Sequence, residues 1–162
     1  NAPDFQAGAE SQGTLWSAVT SGANIVMHAA GWLEGGLCAS FEKFVLDVDL
    51  LQAMAAYLEP INVSDRTLAI EEIAEVGPGG HFLGSAHTMR HYQNAFYEPP
   101  LSDSENVESW EEGGAHDMRS RAYQRWNQML KDYEPPAIDP SLKAELEAFV
   151  STRKEQLPDA WY

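Results

Sequence analysis

The sequence predicts an α/β architecture of which these 162 residues supply a mostly helical part, and three observations lead there. A short apolar run, Ile25-Val26-Met27, lies between Gly22 and Gly31 and reads as a strand buried on both faces of a parallel sheet. Helical patterns flank it, and a Gly-rich loop follows it, as in one unit of an α/β barrel or a doubly wound sheet. One strand cannot make a sheet. The missing strands are therefore expected from sequence outside this chain or from partner chains.

Each element has a local reason. Phe5, Ala9, Gln12, Trp16 and Val19 recur at helical spacing, Asp4 is placed to cap them and Gly22 to end them. After the strand, Ala29 to Gly36 holds three glycines with Trp32 and Glu34, a loop expected at a strand's C-terminal end. Phe44, Val48, Leu51, Ala55 and Leu58 trace the apolar face of a long helix that Ser40 caps and Pro60 terminates. Ser64 and Asp65 open a further helix with Leu68, Ala69, Ile73 and Val76, stopped by Gly77. Gly77 to Tyr97 turns Gly- and His-rich and closes at Pro99-Pro100. Met118 to Tyr133 is one amphipathic helix, and Asp139-Pro140 begins another through Leu142, Leu146, Phe149 and Val150. The division expected is 1–98, barrel end and Gly/His-rich segment, and 99–162, a helical extension.

Ten Lys and Arg against twenty-five Asp and Glu give a formal charge of −15, which repels phosphate backbones and excludes nucleic acid as a partner. No apolar run approaches the roughly 20 residues of a membrane span, and Asn1 to Ala9 has no signal-peptide pattern. A cytoplasmic, soluble protein with no membrane association is expected. Cys38 is the single cysteine, so no intrachain disulfide forms, and a buried inert thiol is its expected state.

The five histidines concentrate where loops are expected: His28 after the strand, then His81, His87 and His91, with His116 apart. Active sites of α/β barrels lie at the C-terminal ends of the strands, so His28 is where that architecture puts a functional group. The plainer role is a histidine hydrogen-bonded beneath a loop. His87 and His91 share a helix face and, with His81, offer a metal-binding alternative, although the Glu of H-E-x-x-H is missing. Gly77-Pro78-Gly79-Gly80 lacks the Lys-Ser/Thr of a phosphate loop and reads as a helix stop and sharp turn. Among Trp16, Trp32, Phe41, Phe82 and Tyr92, most rings are expected in the core. Trp32 is the exception, beside Glu34, where an aromatic face and a carboxylate could receive a quaternary ammonium.

Several long motifs stand in order: Asn1-Ala-Pro-Asp-Phe-Gln-Ala-Gly-Ala-Glu, Gly22-Ala-Asn-Ile-Val-Met-His-Ala-Ala-Gly-Trp-Leu-Glu-Gly-Gly-Leu, Ala39-Ser-Phe-Glu-Lys-Phe-Val-Leu-Asp and Glu75-Val-Gly-Pro-Gly-Gly-His-Phe-Leu-Gly. With His87-Thr-Met-Arg-His, Trp110 and Tyr133-Glu-Pro-Pro, they make the chain resemble the trimethylamine methyltransferase superfamily over nearly its whole length.

The resemblance implies a (β/α)8 TIM-barrel enzyme that moves a methyl group from a methylated amine to the cobalt of a corrinoid (cobalamin) carried by a partner protein, with no tightly bound cofactor of its own. Full members are longer, and this sequence looks like their C-terminal portion. Trimethylamine-specific members use pyrrolysine, which does not occur here, so the closer analogy is to demethylases of quaternary amines such as glycine betaine. Ser85 stands where the family pattern often has another histidine. Barrel position and motif together place His28 and His81 as catalytic residues, Trp32, Glu34 and Phe82 against substrate, and Gly79 and Gly80 in a corrinoid-facing loop. No metal ligand is assigned. A homo-oligomer is expected, and the alternatives are a His-cluster metal protein or a non-catalytic helical interaction fragment.

Overall fold

The computed structural model describes residues 2–157. Helix α1 (Phe5–Thr20) starts where the Asp4 carboxylate accepts the Ala7 N–H at 3.1 Å, satisfying a donor that has no partner inside the helix. It ends before Gly22, whose φ of 83° a side chain would resist. Leu15 is its one buried residue, and Trp16 sets its edge on Tyr57 at 5.2 Å.

Ile25 to Met27 is not a strand. The run has no regular secondary structure, and Ile25 and Met27 are largely exposed. A β-strand exists through hydrogen bonds to a neighbour, and among the described residues none lies beside this run. The sheet forms later, where β1 (Trp32–Leu33) and β2 (Cys38–Ala39) pair antiparallel, Trp32 opposite Ala39 and Leu33 opposite Cys38. A short 3-10 turn, Glu34–Gly36, reverses the chain with Gly35 and Gly36 at positive φ. Cys38, expected to be buried, is exposed on this hairpin.

Helix α2 (Phe41–Leu58) begins at Ser40, whose hydroxyl accepts the Lys43 N–H, and ends at Glu59 before Pro60. Its buried residues are not the expected apolar stripe. Lys43, Val45, Asp47, Asp49 and Met54 face inward, while Phe44 and Leu58 are about half exposed. Charged residues enter a core when their partners enter with them, and both aspartates are fully engaged. Asp49 accepts the Leu101 N–H at 3.0 Å and the Ser102 hydroxyl at 3.5 Å, bringing the segment after Pro99-Pro100 onto α2.

The helix expected from Ser64 to Val76 divides in two. Ser64 and Thr67 form a capping box that closes the single turn α3 (Asp65–Leu68), Ala69 adopts a left-handed φ of 51°, and α4 (Ile70–Val76) follows. Gly77 ends α4 with φ 65°, and a Cβ on Gly80 would meet the Val76 carbonyl oxygen at 2.5 Å. Helices α5 (Ala86–His91), α6 (Val107–Glu112) and α7 (Met118–Lys131) follow, the first two capped by Ser85 and Asn106.

Val45, Leu101 and Ala122 make the buried apolar cluster, with Leu46 and Trp126 against it. Trp126 stacks on Phe41 at 5.0 Å and donates its indole N–H to Glu42 at 3.1 Å. The Glu42 carboxyl is held below the ordinary glutamate range, first by a backbone hydrogen bond, which burial partly opposes, and then by the Ser40 hydroxyl, the Trp126 indole and the Arg119 charge. Phe41, Phe82 and Tyr92, expected in the core, are about half exposed or more.

Two compact units divide the chain, Asn1–Gln128 and Met129–Tyr162. The second holds α8 (Pro140–Gln156), begun by the Asp139 carboxylate on the Ser141 and Leu142 N–H groups with Pro140 in the first turn. Its apolar residues Leu142, Leu146, Phe149 and Val150 are exposed. No helix among the described residues is long and apolar enough to cross a membrane.

Candidate functional site

Two clefts meet at Trp32. One, of about 330 Å³, runs between α1 and the segment before β1, lined by Leu15, Val26, Met27, His28 and Trp32 with Lys43 and Asp47 at its α2 side. The other, of about 360 Å³, lies between the start of α1 and the hairpin turn, where Asp4, Glu10 and Glu34 bring carboxylates to the same space as Trp32. Trp32 is 41% exposed, enough to offer ring surface while its strand pairing holds its backbone.

The residues at this junction carry unusual backbone. His28 (φ 56°) and Glu34 (φ 51°) are left-handed without being glycine, as are only Ala69 and Ala115 elsewhere among the described residues. Such conformations cost of order 1–3 kcal/mol and persist where surrounding contacts impose them. The His28 ring meets Trp32 edge-on at 5.6 Å, with planes 73° apart. His28, Trp32 and Glu34, expected to share a site, are thus gathered along one short segment.

That segment is held from beneath by residues which sequence reasoning missed. Lys43 and Asp47, one turn apart on α2, form an ion pair at 2.5 Å with both side chains 4% exposed. Lys43 Nζ also donates to Ser11 Oγ of α1 at 2.7 Å, and Asp47 Oδ2 accepts the Gly31 N–H at 2.9 Å. Oppositely charged residues four apart ordinarily mark a solvated helix face. The signal here is that the pair brackets Phe44, Val45 and Leu46 within an apolar stretch.

The other expected site residues lie elsewhere. His81, Gly79 and Gly80 are exposed on the turn after α4, and Phe82 is about half exposed beside them. None of the four lines either Trp32 cleft. A third cleft, of about 440 Å³, is lined by α3, α4 and α5, where Glu72 accepts the His87 N–H and lies 3.8 Å from Arg90, and His87 Nε2 sits 3.1 Å from the Arg66 carbonyl oxygen. His87 and His91 do share a face, their rings 4.6 Å apart. Among the described residues, however, no group of three or more His, Cys, Asp or Glu side chains is arranged to hold a metal ion, and His81 does not join the pair.

The chain matches the family model of trimethylamine methyltransferase over residues 1–158, beginning at Asn1, which lies outside the described residues. It is 38% identical over 154 residues to a glycine betaine methyltransferase of Desulfitobacterium hafniense, covering 95% of this chain and 32% of that protein. It is 33% identical over 148 residues to the trimethylamine methyltransferase MttB of Methanosarcina barkeri, covering 91% of this chain and 30% of that one. A second D. hafniense protein, a trimethylamine methyltransferase MttB, is 29% identical over 154 residues, 95% of this chain and 31% of its own length. The chain therefore spans about a third of the length of these relatives. With motifs that run in order from the capped start of α1 through the Trp32 hairpin to the Gly-rich turn after α4, the chain belongs to the trimethylamine methyltransferase family.

Proposed function

We propose that this chain is the C-terminal part of a cytoplasmic TIM-barrel enzyme that transfers a methyl group from a quaternary amine, of the glycine betaine class, to the cobalt of a corrinoid carried by a separate protein. The observation that carries the substrate class is the meeting of the Trp32 ring and the Asp4, Glu10 and Glu34 carboxylates in one cleft. A quaternary ammonium donates no hydrogen bonds, so an aromatic face and nearby negative charge are what can hold it, at about 0.5–2 kcal/mol for the ring contact according to its desolvation. Similarity to a glycine betaine methyltransferase over 95% of the chain supports the same reading.

The chemistry asks little of acids or bases. A quaternary nitrogen already carries its charge. As the methyl carbon bonds to cobalt(I), the C–N bond breaks, its electron pair returns to nitrogen, and a neutral tertiary amine leaves. The protein's work is to hold the cation and aim one methyl group outward. Trp32 and Glu34 bind the cation, His28 sets the orientation of the Trp32 ring, and the exposed turn bearing Gly79, Gly80, His81 and Phe82 faces the incoming corrinoid. The helices after Pro99 form the extension beyond the barrel, and residues 1–98 carry its last units.

The test is methyl transfer to cob(I)alamin, followed by its absorbance, in the polypeptide that carries this chain, with glycine betaine, tetramethylammonium and trimethylamine offered separately. Methylcobalamin formed from the quaternary amines, and reduced about tenfold or more in Trp32→Ala, is expected. Transfer from trimethylamine alone would overturn the substrate class. Absence of transfer from all three, with corrinoid protein still bound, would favour a non-catalytic interaction module.

A further inference from the structure

We propose that Lys43 and Asp47 are positioning residues of the candidate site, a buried pair on α2 that fixes the His28–Trp32 segment through the Gly31 backbone. The proposal rests on the assignment of His28 and Trp32 to the substrate site.

The pair is buried and its hydrogen bonds are made within the protein. Lys43 Nζ lies 2.5 and 2.6 Å from the two Asp47 oxygens and 2.7 Å from Ser11 Oγ, so its donors are all directed at protein acceptors. Lys43 and Asp47 are each only 3% exposed. Although Lys43 borders both clefts and Asp47 one of them, their polar atoms are already taken by protein partners. Two contacts leave the pair: Lys43 Nζ donates to Ser11 Oγ of α1, and Asp47 Oδ2 accepts the Gly31 N–H, the one that reaches the candidate site.

Gly31 is suited to receive it. The residue is buried, its φ is 86°, and a Cβ there would approach Phe44 Cβ to 3.1 Å. Its carbonyl oxygen accepts the Ser40 N–H at 3.0 Å, so its two backbone polar groups are anchored to the N-cap of α2 and to Asp47 on the second turn of that helix. Three residues earlier comes left-handed His28, and immediately after comes Trp32. This segment has no sheet ladder before Trp32 to define its path, and irregular backbone without a ladder takes its position from whatever satisfies its polar groups. Lys43 lines both clefts that meet at Trp32, so the pair lies directly behind the surface it holds.

Burial of an ion pair is weak evidence for a role in stability, because an apolar pair of similar volume often serves as well or better. A distinct position for Gly31 is something an apolar pair cannot supply. The test compares the wild-type chain with the double variant Lys43→Met/Asp47→Leu, using nuclear magnetic resonance of the Trp32 indole N–H and the His28 ring, with Trp110 as an internal control. Helical content should stay at the wild-type level while the Trp32 and His28 signals shift or broaden, Trp110 is unmoved, and tetramethylammonium binds about tenfold more weakly.

Hydrogen exchange of the Gly31 amide in the wild-type chain needs no variant and covers the case in which the double variant does not fold. Protection comparable with the amides inside α2 is expected. Unchanged ring signals in the folded double variant, or free exchange of Gly31 in the wild type, would overturn the proposal. Failure of tetramethylammonium to bind the wild type would count against the substrate reading instead, while the ring signals and the Gly31 amide still decide the positioning role.

Discussion

A loop and the start of a helix in this chain are each tied to a neighbouring helix by a carboxylate, and they differ in where the tie lies. Asp47 holds Gly31 with the carboxylate and its Lys43 partner both buried. Glu72 holds the His87 N–H while its cationic neighbour, Arg90, is more than half exposed. A charge pair in water is screened and competes with solvent, whereas a buried one cannot be broken on one side without stranding the other charge. The Trp32 segment is therefore expected to be set in one position, and the start of α5 to be held less rigidly. Under the proposed function, a fixed Trp32 segment is what aiming a small cation requires.

Breaking the buried tie on one side should give the largest effect. Lys43→Met strands the Asp47 carboxylate and is expected to cost about 3–5 kcal/mol in denaturant unfolding, whereas Glu72→Gln should lie within about 0.5 kcal/mol of wild type. Equal losses in the two variants would erase the distinction. Next in size, Asp49→Ala leaves the buried Leu101 N–H without its acceptor, and about 1–3 kcal/mol should be lost in the same measurement. This asks whether buried carboxylates on α2 matter generally or only at the Lys43 pair.

Gly31→Ala forces a side chain onto φ 86° and against Phe44. A loss of about 1–2 kcal/mol is expected, and Gly79→Ala, with open space around its Cβ position but φ 77°, should show the conformational part alone. The smallest effect concerns pH. The folded Glu42 carboxyl titrates below its ordinary range, so its contribution to stability is complete above the unfolded value and is lost as pH falls through the folded one. Thermal melts between neutral and strongly acidic pH should show a shallower acid loss in Glu42→Gln, and an unchanged slope would remove that carboxyl from the account.

Local hydrogen bonding was the most legible part of the fold. Asp4, Ser40, Ser64 and Asp139 cap helices where their positions require, because a cap spans three residues and needs nothing distant. Trp32 and Glu34 stand out in the sequence as a large ring and a carboxylate in a Gly-rich loop, and His28 by its place after an apolar run; the structure sets the three along one segment, although no strand ends at His28. Ile25-Val26-Met27 misled because an apolar run signals burial or pairing that depends on a neighbour, and no described residue pairs with it. Ala69 misled because a periodic pattern passes smoothly through a residue whose backbone turns left-handed.

The sequence by itself determined the longer helices and the caps that start them, the family, and the aromatic and acidic character of the loop around Trp32, since each rests on residue type and short spacing; the separate start of α4 and the short helices α5 and α6 were not legible in it. Tertiary structure alone decided which side of α2 is inside. Lys43 and Asp47 read as solvated charges until Ser11 from α1 and Gly31 from the loop arrive to complete their hydrogen bonds. Burial of a charge depends on partners brought from elsewhere in the chain, and that information is absent from local spacing.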